Sequence, residues 1–549
     1  MNYRRYIRPA LSVITAVIGI LTAFTFIRCG VDFMDEPYEL MNAQHPLDSP
    51  LAPLPAWIGH LQQCPLSSLI SMRWNSFIIT LASIAVATLL CRRRLISGDG
   101  ADYAALSFGV ATMLAAPYVG AWLYGWDIYS NASLSITMAW LCLLVRKPSC
   151  ATAFIGGVLA AGAMLCRVPN VVLLPAVTAV AVYALPQRRW SAIVAVLTAF
   201  AVVVVGFVLW AYGSVGHYLE AIAANSPGGH SIPTLIQNTF SGLVWFAPLL
   251  CSAICLFLLI RYAGMRYGFA TWRFWSLGIA GAALLGLVFR LTVWKYTVVE
   301  QMAECIVIPL LLYPLFRRKG VDGTTKVLAL AALWTGFCAV AGSNTGFIKF
   351  LSIGMFPIAV AISRPWQSRP LGIWLIMIVA VYCCVGGYVR CVEGYKDVGP
   401  ACIEERVMIA GHPMSGIGTT KQFADYTEKA CTLSRDLREK GYEVRVLASG
   451  LNRFGWALIT GAPMMVNHHN WAEENMSISN SPQFRQAMHE VLTIPDVAVI
   501  VPAPFAGEIQ CREFAPYDEE LIEALSMHLR EDSSGIKGVR LFCGIPRQQ

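Results

Sequence analysis

Apolar runs of spanning length punctuate the first 390 residues. A helix that crosses a bilayer needs roughly 20 predominantly apolar residues. The first candidate runs from about Pro9 to Ile27, behind Arg4, Arg5 and Arg8. Arg28-Cys29-Gly30 makes a poor small-residue cleavage site, so this run reads as a retained signal anchor with a cytoplasmic N-terminus. Further runs begin near Asn75, Leu106, Ser133, Ala153, Val171, Ala192, Leu243, Phe274, Val298, Val327, Phe347 and Leu371, about thirteen spans in all.

Basic residues follow every second run. Arg92-Arg93-Arg94 comes after the second, Arg146-Lys147 after the fourth and Arg188-Arg189 after the sixth. Arg261 and Arg266 follow the eighth, Arg317-Arg318-Lys319 the tenth and Arg364 the twelfth. Short cytoplasmic loops concentrate Lys and Arg, so an odd number of spans places the C-terminal region outside. The chain is expected to be an integral protein of a bacterial inner (plasma) membrane, with residues 391–549 periplasmic.

Beyond about Arg390 the pattern changes to short elements. Helical periodicity over Lys421–Lys440, Ser481–Leu492 and Tyr517–Arg530 alternates with strand-like runs at Glu443–Leu447, Val497–Val501 and Val539–Phe542. Such alternation predicts a small α/β domain with a partly parallel sheet. The expected organisation is therefore a polytopic α-helical membrane domain over 1–390 and an extracytoplasmic α/β domain over 391–549.

Composition agrees: 56% of residues are hydrophobic and 13% charged, with a mean hydropathy of +0.57. Those values exclude a soluble multidomain enzyme, a disordered chain and a coiled coil. The net charge of +8 belongs to membrane topology and not to nucleic acid, because no aromatic-basic stacking surface accompanies it. The 17 Cys lie mostly in apolar segments and define no disulfide framework. Cys391, Cys402, Cys431, Cys511 and Cys543 fall on the oxidising side, where bridges can form. Cys29 and Cys64 either staple the first outer loop or remain thiols at the membrane edge.

That first outer loop, about 28–70, carries the densest chemistry. Asp32, Asp35, Glu36 and Glu39 sit within eight residues, directly after the first span. Carboxylates crowded at such depth are partly desolvated and repel one another, so they hold a proton, a metal or a cationic group. The Pro-punctuated stretch from Pro46 to Leu61 is amphipathic and suits short helices lying in the interface.

Three segments resemble one enzyme superfamily. Asp35-Glu36-Pro37-Tyr38-Glu39-Leu40-Met41-Asn42-Ala43, then a Pro-Leu segment and Met72-Arg73-Trp74-Asn75 opening the second span, are similar to the GT-C glycosyltransferases. Within it the likeness is to the protein O-mannosyltransferases and lipid A aminoarabinose transferases. Ser130-Asn131-Ala132-Ser133-Leu134-Ser135 before the fourth span is the second match, and the stretch from Gly156 to Asn170 with Leu165-Cys166-Arg167-Val168-Pro169 is the third. The resemblance covers about the first 190 residues; beyond them it is one of topology.

The resemblance implies a sugar moved from a polyprenyl-phosphate carrier to an extracytoplasmic lipid, glycan or protein acceptor. It places the outer-loop acid at Asp35, as the base that deprotonates the acceptor hydroxyl. Glu36 ranks second, as an acceptor, metal or cation partner, and Asp32 third. No cofactor is certain; a divalent metal at Asp35 and Glu36 stays open, since some relatives use one and others do not.

A departing phosphate also needs cations on the outer side, where topology does not otherwise favour them. Arg167, Arg290 and Lys295 fit that need, with snorkelling to lipid headgroups as the bland alternative for Lys295 above all. Tyr38, within the acidic stretch, is a candidate acceptor or cavity residue together with Asp32, His230, Glu300 and Asn344. His217, Glu220, Asn225 and His230 fall in a loop that either covers the site or merely connects two spans. Glu300 and Glu304 lie one turn apart, facing Lys295 or the cavity, and Asn344 belongs to a polar outer turn. The distant His45, His468 and His469 make no convincing metal site.

The oligosaccharyltransferase pattern Trp-Trp-Asp-Tyr-Gly is absent from the chain, which argues against sequon glycosylation. A polysaccharide polymerase or ligase is the nearest alternative. A lipid-linked-sugar flippase or transporter is the alternative from another class, but it calls for related halves and polar groups near the midplane.

Overall fold

The computed structural model describes residues 4–30, 35–62, 68–95, 108–112, 125–224, 232–292, 298–317, 319–341, 353–363, 370–375, 377–378, 381, 407–408, 414–448, 453–462, 482–505 and 514–544. Within some helices it describes the backbone alone; Asp35 and Glu300 are two such positions.

Helices dominate. In chain order they are α1 (Arg4–Ile27), α2 (Asp35–Gln44), α3 (Pro53–Leu61), α4 (Leu69–Leu95), α5 (Gly125–Leu144), α6 (Cys150–Cys166), α7 (Leu173–Ala184), α8 (Arg189–Tyr212) and α9 (Val215–Ala224). Then follow α10 (Ile232–Tyr267), α11 (Trp272–Thr292), α12 (Val298–Phe316), α13 (Gly323–Val340) and α14 (Phe356–Ser363). Among the described residues five stretches are long and apolar enough to cross a membrane: Leu69–Arg92, Pro186–Tyr212, Ala247–Tyr267, Trp272–Leu291 and Gly323–Val340. Shorter apolar helices at Ile128–Leu144, Cys150–Cys166, Val168–Ala184 and Glu304–Phe316 coincide with further expected runs. The protein is a helical membrane protein. Its bundle is held by packing of apolar side chains and small residues. Gly157 is the clearest case: a Cβ there would stand 2.3 Å from the Val196 carbonyl oxygen, so only glycine lets α6 approach α8 this closely.

Helix ends sort into two faces. At one, Tyr183 at the end of α7 shares a 3.3 Å hydrogen bond with Thr324 at the start of α13. Exposed Trp190 and Trp272 stand at the starts of α8 and α11, with Arg189 and Arg273 beside their rings. Basic residues with amphipathic aromatic rings suit a membrane–water interface. The opposite face gathers the ends of α1, α6 and α13 and the starts of α4 and α5, and it carries α2 and α3.

The C-terminal region builds strands at Glu443–Val446, Val497–Pro502 and Val539–Cys543, where its sequence pattern predicts them, and also at Val407–Met408, Gly418–Thr419 and Arg530–Asp532, where it does not. β1 (Val407–Met408) pairs antiparallel with β2 (Gly418–Thr419). β3 (Glu443–Val446), β4 (Val497–Pro502), β6 (Val539–Cys543) and β5 (Arg530–Asp532) form one sheet in that spatial order. The β3–β4 pair is parallel and the others antiparallel, so the sheet is mixed. Buried β4 is covered on one face by Val491, Leu521 and Leu525, from α17 (Pro482–Leu492) and α18 (Glu519–His528). On its other face lie α15 (Lys421–Glu439) and α16 (Arg453–Thr460).

Candidate functional site

The acidic stretch expected as loop folds in its second half into α2, which opens at Asp35. Its first turn is fixed from outside the helix. Arg73, in the first turns of α4, donates Nε to Glu36 Oε1 at 2.6 Å and Nη2 to Oε2 at 2.8 Å. Both side chains are 1% exposed. Arg73 also donates Nη1 to the carbonyls of Ile27 at 2.9 Å and Cys29 at 3.4 Å, and Nη2 to Gly30 O at 2.7 Å. These five bonds match the five N–H groups of a guanidinium. They satisfy the last carbonyl of α1 and two carbonyls of the segment just beyond it, and they supply the partner without which a buried carboxylate would be costly.

Glu36 is thus a cation partner, and the cation is Arg73. In the sequence Arg73 stands within the motif that opens the second span. The signal that could have found it is a lone basic residue opening an apolar span on the face poor in positive charge. With both Glu36 oxygens accepting from a guanidinium, this carboxylate is a poor metal ligand. Among the described residues no three His, Cys, Asp or Glu groups gather where they could hold a metal ion.

Arg167 lies at the same face, 6% exposed. It ends α6 in an extended conformation, φ −163°, and its Nη1 donates to Ala339 O at 2.9 Å and Cys338 O at 3.5 Å. Those carbonyls close the last turn of α13, where a cation also meets the negative end of the helix dipole. Burial against a helix end differs from the headgroup snorkelling weighed from sequence. Next to it Val168 N–H donates to Leu51 O at 3.0 Å, tying the loop before α3 to the end of α6. Asn170, fully buried, donates Nδ2 to Ser130 Oγ at 2.8 Å and Ala163 O at 2.9 Å. The second and third matching segments therefore touch each other directly. Asn75 donates to the Tyr129 hydroxyl at 3.1 Å, joining α4 to α5.

The remaining candidates scatter. Arg290 is exposed in the last turn of α11. Tyr38 meets the edge of Phe454 in α16, ring centroids 4.9 Å apart, so it faces the C-terminal region. Glu304 is fully buried in α12. His217 and Glu220 lie exposed on α9, which is anchored by the Tyr218 hydroxyl donating to Pro50 O at 3.1 Å. Asp32, His230, Lys295 and Asn344 lie outside the described residues, as does Cys64. Cys431 and Cys543 are free thiols; Cys391, Cys402 and Cys511 lie outside the described residues.

No family model matches this chain, and no curated protein matches it. Among solved structures, ArnT from Cupriavidus metallidurans in the apo state is similar over 97% of this chain and 99% of that one, at 12% identity and a TM-score of 0.44. A likeness of that degree is loose, so the chemistry has to be read from the residues themselves.

Proposed function

We propose that this protein is a membrane glycosyltransferase that takes a sugar from a polyprenyl-phosphate carrier and passes it to an acceptor on the outer face. The supporting observation is the buried Glu36–Arg73 clamp, which fixes an acid-bearing helix at the end of the first span. A general base contributes only when its position is held, and α2 opens with Asp35, next to the clamped Glu36.

In this reading the face bearing α2 and α3 is extracytoplasmic. Asp35 takes the acceptor hydroxyl proton while the acceptor oxygen bonds to the anomeric carbon. The bond from that carbon to the phosphate oxygen breaks, and polyprenyl phosphate leaves with the electron pair. Arg167, Arg290 and Lys295 are the cations proposed to meet the departing phosphate, where fixed positive charge lowers the barrier most. The C-terminal α/β region, on the same side, would select the acceptor.

The test is to incubate the purified protein with a panel of polyprenyl-phosphate sugars and follow release of the free lipid phosphate. Release with at least one donor is expected; none across the panel, with folded protein and mixed acceptors present, overturns the reading.

A further inference from the structure

α2 has only ten residues, and isolated helices shorter than about 12–15 residues are marginal in water. Its persistence must come from what packs on it. The Arg73 clamp is one support, and α3 is a second, its His60 Nδ1 hydrogen-bonded to Ala43 O at 3.2 Å. The third is the C-terminal region, and the contact is specific.

Gly418 in β2 is spliced onto the segment that joins α1 to α2. Its N–H donates to Arg28 O at 2.7 Å, and its carbonyl accepts from Gly30 N–H at 2.8 Å, a parallel bridge alongside Cys29. The carbonyls of Cys29 and Gly30 go instead to Arg73. Gly30 has φ 72°, the left-handed region that glycine enters without a Cβ clash. This turn lets its N–H serve Gly418 while its carbonyl serves Arg73. Three residues of backbone are therefore gripped by the membrane bundle and by the C-terminal region together.

The side chains continue the grip. Leu40 of α2 and Leu69 and Met72 of α4 share one buried apolar cluster with Ile417, Phe423 and Trp456. Tyr38 stands edge-on to Phe454. α16, which carries Phe454, has eight residues and is itself braced by α15. There the Cys431 thiol donates to Ile459 O and the Ser434 hydroxyl to Thr460 O, both at 2.9 Å, and Tyr426 meets Trp456 ring to ring at 5.5 Å. Support runs from α15 through α16 to α2.

We propose that the C-terminal region is a positioning part of the membrane site: through Gly418 and Phe454 it holds α2, and with it Asp35, in working register. This deepens the glycosyltransferase reading and rests on it for the catalytic consequence. The structural half, that α2 depends on α16, stands without it. Phe454 and Gly418 are positioning residues, acting through α2 and not on the sugar.

Two full-length variants separate positioning from general weakening. Phe454→Ala removes the ring against Tyr38. Leu525→Ala opens a cavity of similar kind in the layer on the far face of the sheet, where Leu525 packs with Val497 and Val501. In hydrogen–deuterium exchange, Phe454→Ala is expected to speed exchange across residues 35–44, and Leu525→Ala to leave those amides at the wild-type rate. In turnover, Phe454→Ala is expected to lower kcat about 10–100-fold, the scale of a misplaced catalytic group. Its donor KM should stay within about twofold, because the loss falls on the chemical step. Leu525→Ala should keep the wild-type kcat. Unchanged exchange over 35–44 in Phe454→Ala, or equal effects of the two variants, overturns the proposal. Should Phe454→Ala not yield folded protein, Phe454→Leu is read by the same two measurements against the same criteria. If the wild type releases no lipid phosphate, the glycosyltransferase reading falls, while the exchange comparison still decides whether α2 leans on α16.

Discussion

Glu36 and Arg73 lie 37 positions apart in the chain, yet they meet through two parallel hydrogen bonds in a site closed to solvent. A planar guanidinium matches a carboxylate in this two-pronged way, and an ammonium does not. Removing one partner of such a buried pair leaves a charge without compensation and costs about 3–5 kcal/mol. Arg73→Ala should therefore lower the unfolding midpoint sharply in detergent, and Arg73→Lys should recover little of the loss. A Lys variant as stable as wild type would show that the fork geometry is unimportant.

Asp35→Asn keeps the size of the side chain and removes its basicity. Under the proposed mechanism it should reduce transfer about 10²–10⁴-fold, the usual contribution of a general base, with donor binding and folding retained. Turnover at the wild-type rate would take Asp35 out of the reaction.

Gly30→Ala tests the junction between α1 and α2. A residue with a Cβ at φ 72° is strained by about 1–2 kcal/mol, and relief would pull the backbone from Gly418 or Arg73. Loss of stability with faster exchange near 28–30 is expected; a neutral outcome would mean that the turn tolerates a side chain.

Arg167→Ala leaves the last carbonyls of α13 without their guanidinium. If Arg167 also holds the donor phosphate, donor KM rises together with the loss of stability. Destabilisation with an unchanged donor KM would confine the residue to bracing α6 against α13.

Tyr218, buried on α9, has its hydroxyl pushed up to about 12 by burial, above the ordinary value near 10. The unfolded chain ionises first as pH rises, so the associated stability is present below about pH 10 and lost as pH approaches 12. Alkaline denaturation followed between those values should be shallower in Tyr218→Phe than in wild type. Burial likewise pushes up the Cys431 and Cys543 thiols. Only thiolate reacts with maleimide or disulfide reagents, so both should label slowly in the folded protein and quickly after denaturation.

The sequence by itself determined the membrane class, the positions of several apolar helices and those of three strands in the C-terminal region. Hydropathy and periodicity are local: α4, α8, α11 and α13 coincide with expected runs, and β3, β4 and β6 with expected strands, because apolar spacing reports which face must be covered. It also marked Asp35 and Glu36, since crowded carboxylates at a membrane boundary are visible in one dimension. What a carboxylate pairs with is not a local property. Only the tertiary structure decided that Glu36 faces Arg73, that Arg167 turns its Nη1 to the end of α13, and that Tyr38 meets Phe454 more than 400 residues further along. Those choices follow from where helix ends leave backbone carbonyls to be satisfied and from which short helices need a neighbour in order to exist. Neither appears until the chain has closed on itself.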